Sequence, residues 1–145
     1  MGKVMTKLIL ENVVDRGMAD NGLIARERVR HVEVEGLVDT GSVMLVLPQD
    51  IADALGLQTA ERRVATLADG STCEVGRVTG VRVEILGRDM TTDALVVPTG
   101  ATPLIGQVQL EVLDLIVDPK NREVRTNPRS PDVWMFDMLS VRQAS

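Results

Sequence analysis

The residues whose types could do chemistry lie together in the stretch LVDTGS, residues 37–42. Apolar residues precede it, and another apolar run follows it at residues 43–47. An ordinary turn can use many polar residues, whereas this one places a carboxylate, a hydroxyl and a glycine between two strand-like segments. The pattern therefore indicates a loop that holds the Asp39 carboxylate in place, as acid–base chemistry requires.

The segments around this loop read mostly as short strands separated by turns. Strands are predicted at residues 6–13, 29–38, 43–47, 62–68, 72–78, 81–86, 91–97, 114–118 and 122–126. A loop is predicted at 16–23, and short helices are predicted at 48–56 and 107–113. Asp69-Gly70 is a strong hairpin turn signal, because glycine accepts a positive φ. The spacing predicts a mostly β barrel or sandwich with two short helices.

The composition of the chain limits the kind of core, partner and cellular location that can be expected. A chain of 145 residues is expected to form one domain with a real core, and with only Trp134 and Phe136 as aromatics that core must be aliphatic. The net charge of −5 without a basic block makes nucleic acid an unexpected partner. No signal peptide or long apolar run is evident, and Cys73 is the only cysteine. We therefore expect no membrane association and a reducing, cytoplasmic location.

Four stretches, in this order, resemble the retropepsin-like (clan AA) aspartic proteases, and most closely their small bacterial single-domain type. They are LVDTGS (37–42), LPQDIADALGL (47–57), TLADGS (66–71) and LIGQVQLEVLDLIVDP (104–119). The resemblance covers about residues 6–126. It implies an all-β, closed acid-protease barrel with one or two short helices, working as a homodimer on peptide or protein substrates. It implies no cofactor and no metal.

The resemblance also implies a role for each residue of the loop. In this family two aspartates share one proton around a water molecule and hydrolyse a peptide bond. Asp39 matches the catalytic aspartate, and Thr40 matches the residue whose hydroxyl locks two such loops together. Gly41 allows close approach of the backbone. Ser42 is expected to donate a hydrogen bond to the Asp39 carboxylate.

The family's site needs two aspartates, and this chain supplies one loop. Asp69 is not followed by a threonine, and Asp93 and Asp118 are not followed by glycine. A homodimer with Asp39 from each chain on the two-fold axis is the arrangement that remains. Ala68, Asp69 and Gly70 then match the family's flap, the hairpin that closes over bound peptide.

The remaining segments are interpreted more simply. Residues 1–126 are expected to form the protease domain. Residues 127–145 are expected to be a C-terminal extension that packs on the domain or on the partner through Trp134, Met135 and Phe136. His31 is interpreted as an ordinary strand residue, and one histidine with one cysteine gives no plausible zinc site.

Two alternatives stay open at this point. One is a catalytically idle module that keeps the fold and only binds peptide in its cleft. The intact Asp-Thr-Gly loop argues against it, since an idle module would not need that loop. The other is an unrelated small β protein with a structural Asp-Gly turn, which would be monomeric. Cleavage of a peptide library and sedimentation separate these from an aspartic endopeptidase.

Overall fold

In a computed structural model of the protein, the described residues are 2–135 and Arg142. The strands are β1 (Met5–Asn12), β2 (His31–Val38), β3 (Leu45–Pro48), β4 (Glu61–Thr66), β5 (Thr72–Ile85), β6 (Arg88–Val97), β7 (Leu104–Ile105), β8 (Leu115–Asp118) and β9 (Glu123–Thr126). The α-helices are α1 (Val13–Asp20), α2 (Gln49–Ala54) and α3 (Gln107–Val112), with a 3₁₀ turn at Arg26–Arg28. Among these residues, no helix has both the length and the apolar character needed to cross a bilayer.

Six strands close into a barrel. Their order is β1-β2-β7-β3-β6-β5, and pairing between β5 and β1 completes the circuit. β4 pairs with β5 alone among the described strands, so the β4–β5 hairpin extends outside the closed barrel. An all-β barrel with a few short helices is what the sequence predicts, and the structure confirms that part of the prediction.

The barrel is filled by aliphatic side chains. Inward residues alternate along β1, where Thr6, Leu8, Leu10 and Asn12 are buried between more exposed neighbours. The side chains that are fully or almost fully buried include Leu8, Leu10, Leu45, Leu47, Leu55, Val78, Val81, Val83, Ile85, Ile105 and Leu113. With two aromatics in the chain, these branched residues supply the packing that closes the core.

One predicted loop is a helix. Residues 16–23 were expected to be irregular because of Gly17 and Gly22, yet α1 spans Val13–Asp20. The Asn12 side chain caps it by accepting the Asp15 N–H at 3.0 Å. Buried Asp15 then accepts two hydrogen bonds from the Arg30 guanidinium, at 2.7 and 3.0 Å, and these bonds lower its pKa. Contacts 15 residues apart thus override a local loop signal.

Two segments that were predicted to be separate strands form one continuous strand. Segments 72–78 and 81–86 form the single strand β5, with a register shift between Val78 and Val81 opposite β6. Gly80 has a φ of 76° at this point, which marks a bulge and not a chain reversal. β5 can therefore serve the hairpin with its first half and the barrel with its second.

The β8–β9 hairpin forms as predicted, with Asp118 accepting the Lys120 and Asn121 N–H groups at 3.1 Å each. Beyond it, Trp134 is half-buried and packs against the core, whereas Met135 is exposed. Phe136, which was expected to pack with them, lies outside the described residues. The boundary expected at residue 126 stays a prediction.

Candidate active site

Asp39 is the first residue after β2, and the barrel fixes its backbone. β2 runs parallel to β7, with Val38 opposite Ile105, and the Asp39 N–H donates to the Ile105 carbonyl at 3.0 Å. The Ser42 N–H then donates to the Asp39 carbonyl at 3.0 Å and closes a tight turn. Asp39 is therefore held both by a neighbouring strand and by its own loop.

The carboxylate of Asp39 is oriented by the loop that follows it. Its Oδ1 accepts the Gly41 N–H at 3.0 Å. A Cβ added at Gly41 would lie 3.2 Å from the same oxygen, closer than most real side chains tolerate. Among the described residues no hydrogen bond reaches Oδ2, so this oxygen is available to a water molecule or substrate. The side chain is half-buried and open to a cleft.

Helix α3 braces the far side of the loop. The Gln107 N–H donates to the Ser42 carbonyl at 2.8 Å, and the Val108 N–H donates to the Val43 carbonyl at 3.3 Å. This approach depends on Gly106, where an added Cβ would lie 2.6 Å from the Val43 oxygen. Glycine at this position therefore permits the close packing of α3 against the Asp39 loop.

A glutamine that the sequence analysis missed completes the brace. Gln109 is almost fully buried, and its Oε1 accepts the Gly106 N–H at 3.1 Å. Glutamine three residues after a helix cap is a known N-terminal capping pattern, so the sequence did carry a signal for it. Gln109 thus holds the start of α3 in the position from which it supports the Asp39 loop.

The structure tests the hydrogen bond predicted for Ser42 but not the one predicted for Thr40. The Ser42 hydroxyl donates to the Met44 carbonyl at 2.9 Å, so the expected bond to the Asp39 carboxylate is wrong. The turn brings the Met44 carbonyl within hydrogen-bonding distance of that hydroxyl, whose single proton is then used there. Thr40 is exposed and lines two cavities. Its expected bond to a second loop needs another chain and stays a prediction.

One of these cavities also contains Asp39. It has a volume of about 540 Å³ and is lined by Gly2, Lys3, Val4, Leu37, Val38, Asp39, Thr40, Val117 and Pro119. The other, of about 710 Å³, lies between Thr40, α3 and β8. The Asp39 loop therefore stands between two open cavities, and apolar side chains line part of each wall.

The predicted hairpin at Ala68, Asp69 and Gly70 is present. The Leu67 N–H donates to the Ser71 carbonyl at 2.8 Å, and Gly70 has a φ of 85°. Asp69 Oδ1 accepts the Ser71 hydroxyl at 2.5 Å and the Ser71 N–H at 2.9 Å. These two bonds, the hydroxyl first, lower the pKa of Asp69. Contact of this tip with substrate stays a prediction.

The other candidate groups are ordinary. His31 is exposed at the start of β2, with its Nδ1 3.1 Å from the Val29 carbonyl oxygen. Cys73 is a half-buried thiol on β5. Within residues 2–135, no three histidine, cysteine or acidic side chains lie close enough together to hold a metal ion.

Comparison with protein families identifies the family of this chain. The model of the family described as gag-polyprotein putative aspartyl protease matches residues 26–112. No curated protein matches the chain. The matched range includes the Asp39 loop, the β4–β5 hairpin and the Gly106 brace, and it spans more than half of the sequence. The chain therefore belongs to this retropepsin-like family of aspartyl proteases.

Proposed function

We propose that this protein is an aspartic endopeptidase whose active site is assembled from two copies of the chain. The observation that carries the proposal is the braced Asp39 loop. Its backbone is tied to Ile105, its carboxylate is oriented by Gly41, and its far end is held by α3. Family membership supports proteolysis as the chemistry that such a loop serves.

The second copy is needed because one carboxylate cannot fill both roles. One group must remove a proton from water while another protonates the scissile carbonyl oxygen. The sequence contains Asp-Thr-Gly once, so the second carboxylate must come from the Asp39 of a partner chain. A two-fold axis between the two loops supplies it and makes the two groups equivalent.

Two Asp39 carboxylates that face each other across the two-fold axis do not ionise independently of each other. At about 3 Å and an effective dielectric constant of about 20, two negative charges repel by about 5 kcal/mol. The pair therefore keeps one proton over a range of pH and titrates as a unit. The ionised Asp39 acts as base and the protonated Asp39 acts as acid.

Hydrolysis then follows from these roles. The ionised carboxylate takes a proton from the bridging water as its oxygen attacks the carbonyl carbon, and the protonated carboxylate gives its proton to the carbonyl oxygen. Collapse of the tetrahedral intermediate breaks the C–N bond, and the proton taken from water passes to the leaving nitrogen. As the C=O bond re-forms, one hydroxyl of the intermediate returns its proton to the carboxylate that acted as acid. The pair ends with the one proton that it had at the start.

The β4–β5 hairpin is the element suited to cover a bound peptide. It extends outside the closed barrel, and residues 66–72 at its end are exposed. A hairpin with so few tertiary contacts can open and close without disturbing the core. We infer that Ala68, Asp69 and Gly70 approach the substrate when it closes.

The test is cleavage of a peptide library by the parent and by Asp39→Asn. The parent is expected to cut and to sediment as a dimer, and the variant to sediment as a dimer without cutting. A parent that binds peptides without cutting them would instead be an idle peptide-binding module. A monomeric parent would remove the two-copy site altogether.

A further inference from the structure

A small cavity lies between the β4–β5 hairpin and Met44, the residue that precedes β3. Its volume is about 80 Å³, and it is lined by Met44, Glu61, Arg63, Val75, Arg77 and Leu95. Met44 is five residues after Asp39, and five residues of extended chain span at most about 18 Å. A peptide that crosses the Asp39 carboxylate can therefore reach this cavity with a side chain a few residues from the bond that is cut.

One face of the hairpin borders this cavity. Arg63 is opposite Val75 in the β4–β5 register, and Ala65 is opposite Cys73. These four side chains share a face, because neighbouring residues on a strand point to opposite sides of the sheet. Arg63 and Val75 line the cavity together with Met44, so the shared face is turned toward the barrel. A peptide held between the hairpin and the barrel would contact this face.

The charged side chains around the cavity are already paired. Arg77 donates to Asp93 at 3.0 Å through one terminal nitrogen and to Glu61 at 3.1 Å through the other. The second oxygen of Glu61 accepts a hydrogen bond from Arg63 at 3.0 Å. Each guanidinium thus has a carboxylate partner, and its aliphatic stem is what it can offer to an occupant. An acidic occupant would add a third carboxylate beside Glu61 and Asp93, so the cavity does not favour one.

The space left for an occupant is apolar and small. Met44, Val75 and Leu95 contribute apolar side chains to its walls. A water molecule in the liquid takes about 30 Å³, so a cavity of about 80 Å³ holds about three groups of that size. The branched end of a valine, isoleucine or leucine side chain fills such a space, whereas the rigid ring of phenylalanine exceeds it. The cavity therefore suits one aliphatic side chain.

We propose that this cavity is a size-selective pocket for one aliphatic side chain of the peptide substrate, and that Met44 and Leu95 set its size. The inference rests on the proposed function, which places a peptide between the hairpin and the Asp39 loop. An extended peptide advances about 3.3 Å per residue, so the selected residue lies within about five positions of the scissile bond. Burying that side chain removes apolar surface from water. Arg77 joins β4 to β6 through its two ion pairs, which keeps the pocket from widening for a larger occupant.

The first test measures kcat/KM of the parent on peptides that differ at one position at a time, within about five residues of the scissile bond. At one of these positions, leucine is expected to be cleaved at least about tenfold faster than phenylalanine or glutamate. Equal rates for leucine and phenylalanine at every position, or a preference for glutamate at the selective one, overturn the inference and leave the proposed function intact. A parent that cuts no peptide overturns both.

The second test enlarges the pocket with Met44→Ala. The ratio of kcat/KM for leucine over phenylalanine at the selective position is expected to fall by at least about tenfold, because the ring now fits. Met90→Ala is the matched control, since Met90 is also half-buried and packs against the core but does not line the cavity, and it should keep the parental ratio. If Met44→Ala does not fold, Leu95→Ala enlarges the same pocket from β6 and makes the same comparison. An unchanged ratio in the folded variant, or an equal change in Met90→Ala, overturns the inference.

Discussion

Two turns in this protein are built from similar residues, and only one of them is braced by distant segments of the chain. In both, an aspartate accepts the N–H of the residue two positions on, Gly41 for Asp39 and Ser71 for Asp69, at 3.0 and 2.9 Å. Both also contain a glycine and a small hydroxyl residue. The local geometry around the two carboxylates is therefore alike.

The two turns differ in the hydrogen bonds that connect them to the rest of the protein. The Asp39 loop bonds to Ile105 on β7 and to the start of α3, some 65 residues along the chain. The hydrogen bonds of the Asp69 turn stay within residues 67–71, and its residues are exposed. The barrel and α3 thus hold the Asp39 carboxylate in place, whereas an exposed hairpin carries the Asp69 carboxylate.

The largest effect is expected from Asp39→Asn. The substitution keeps the shape but removes the only ionisable group of the braced loop, so cleavage should fall by about 10³-fold or more. The dimer should persist, because charge repulsion on the axis is relieved. Rates on a fluorogenic peptide measure this, with Asp69→Asn as the matched control. Comparable losses in the two variants would contradict the distinction between the turns.

Gly106→Ala tests the brace itself. The new Cβ would lie 2.6 Å from the Val43 oxygen, and backbone cannot yield as a side chain can, so unfolding free energy should drop by about 1–3 kcal/mol. Turnover should fall as well, because the Asp39 loop moves. Gly17→Ala is the control, since nothing lies within 4 Å of its added Cβ in α1. Urea titration that ranks the two variants equally would argue against a special role for Gly106.

Gly70→Val tests the exposed Asp69 turn. Valine at a φ of 85° should cost about 1–2 kcal/mol, with no steric clash to add to it. Gly22→Val is matched, because Gly22 has a φ of 74° and equally open surroundings in a loop far along the sequence. The two should lose similar stability, and only Gly70→Val should slow peptide cleavage. Equal turnover in both would make Asp69-Gly70 an ordinary turn.

The smallest effect is expected from Asp69→Asn as pH changes. The lowered pKa of Asp69 means that its contribution to the turn is present above about pH 4 and is lost as pH falls through the lowered value. The parent should therefore melt slightly higher than the variant at neutral pH, and the two curves should converge in acid. Melting temperature measured across pH tests this, and a constant gap would exclude the carboxylate as its cause.

Local patterns were enough to predict much of this structure. Asp69-Gly70 predicted its hairpin, and the apolar runs flanking Asp39 predicted strands that end or begin near the Asp39 loop. The order of four stretches led to the family that residues 26–112 confirm. These features depend on residues that are neighbours in the sequence, so they can be predicted from the sequence alone.

What could not be predicted depends on contacts between distant segments. Gly17 suggested a loop, but the buried pairing of Asp15 with Arg30 supports a helix there. Ser42 was expected to donate to the Asp39 carboxylate, and only the folded turn shows that the Met44 carbonyl receives the bond. Arg88 reaches carbonyls 25 to 42 residues away, a distance over which the sequence carries no pattern. Such bonds are set by how the barrel closes.

The central claim is that each active site contains Asp39 from two chains, and a mixing experiment tests it most directly. Asp39→Asn is titrated into a fixed amount of parent under conditions of subunit exchange, and peptide cleavage is followed. Each mixed dimer has one carboxylate, so an equal mixture should leave about a quarter of the dimers active, and excess variant should abolish activity. Parental activity that stays constant at every excess of variant, with exchange confirmed, would contradict the account.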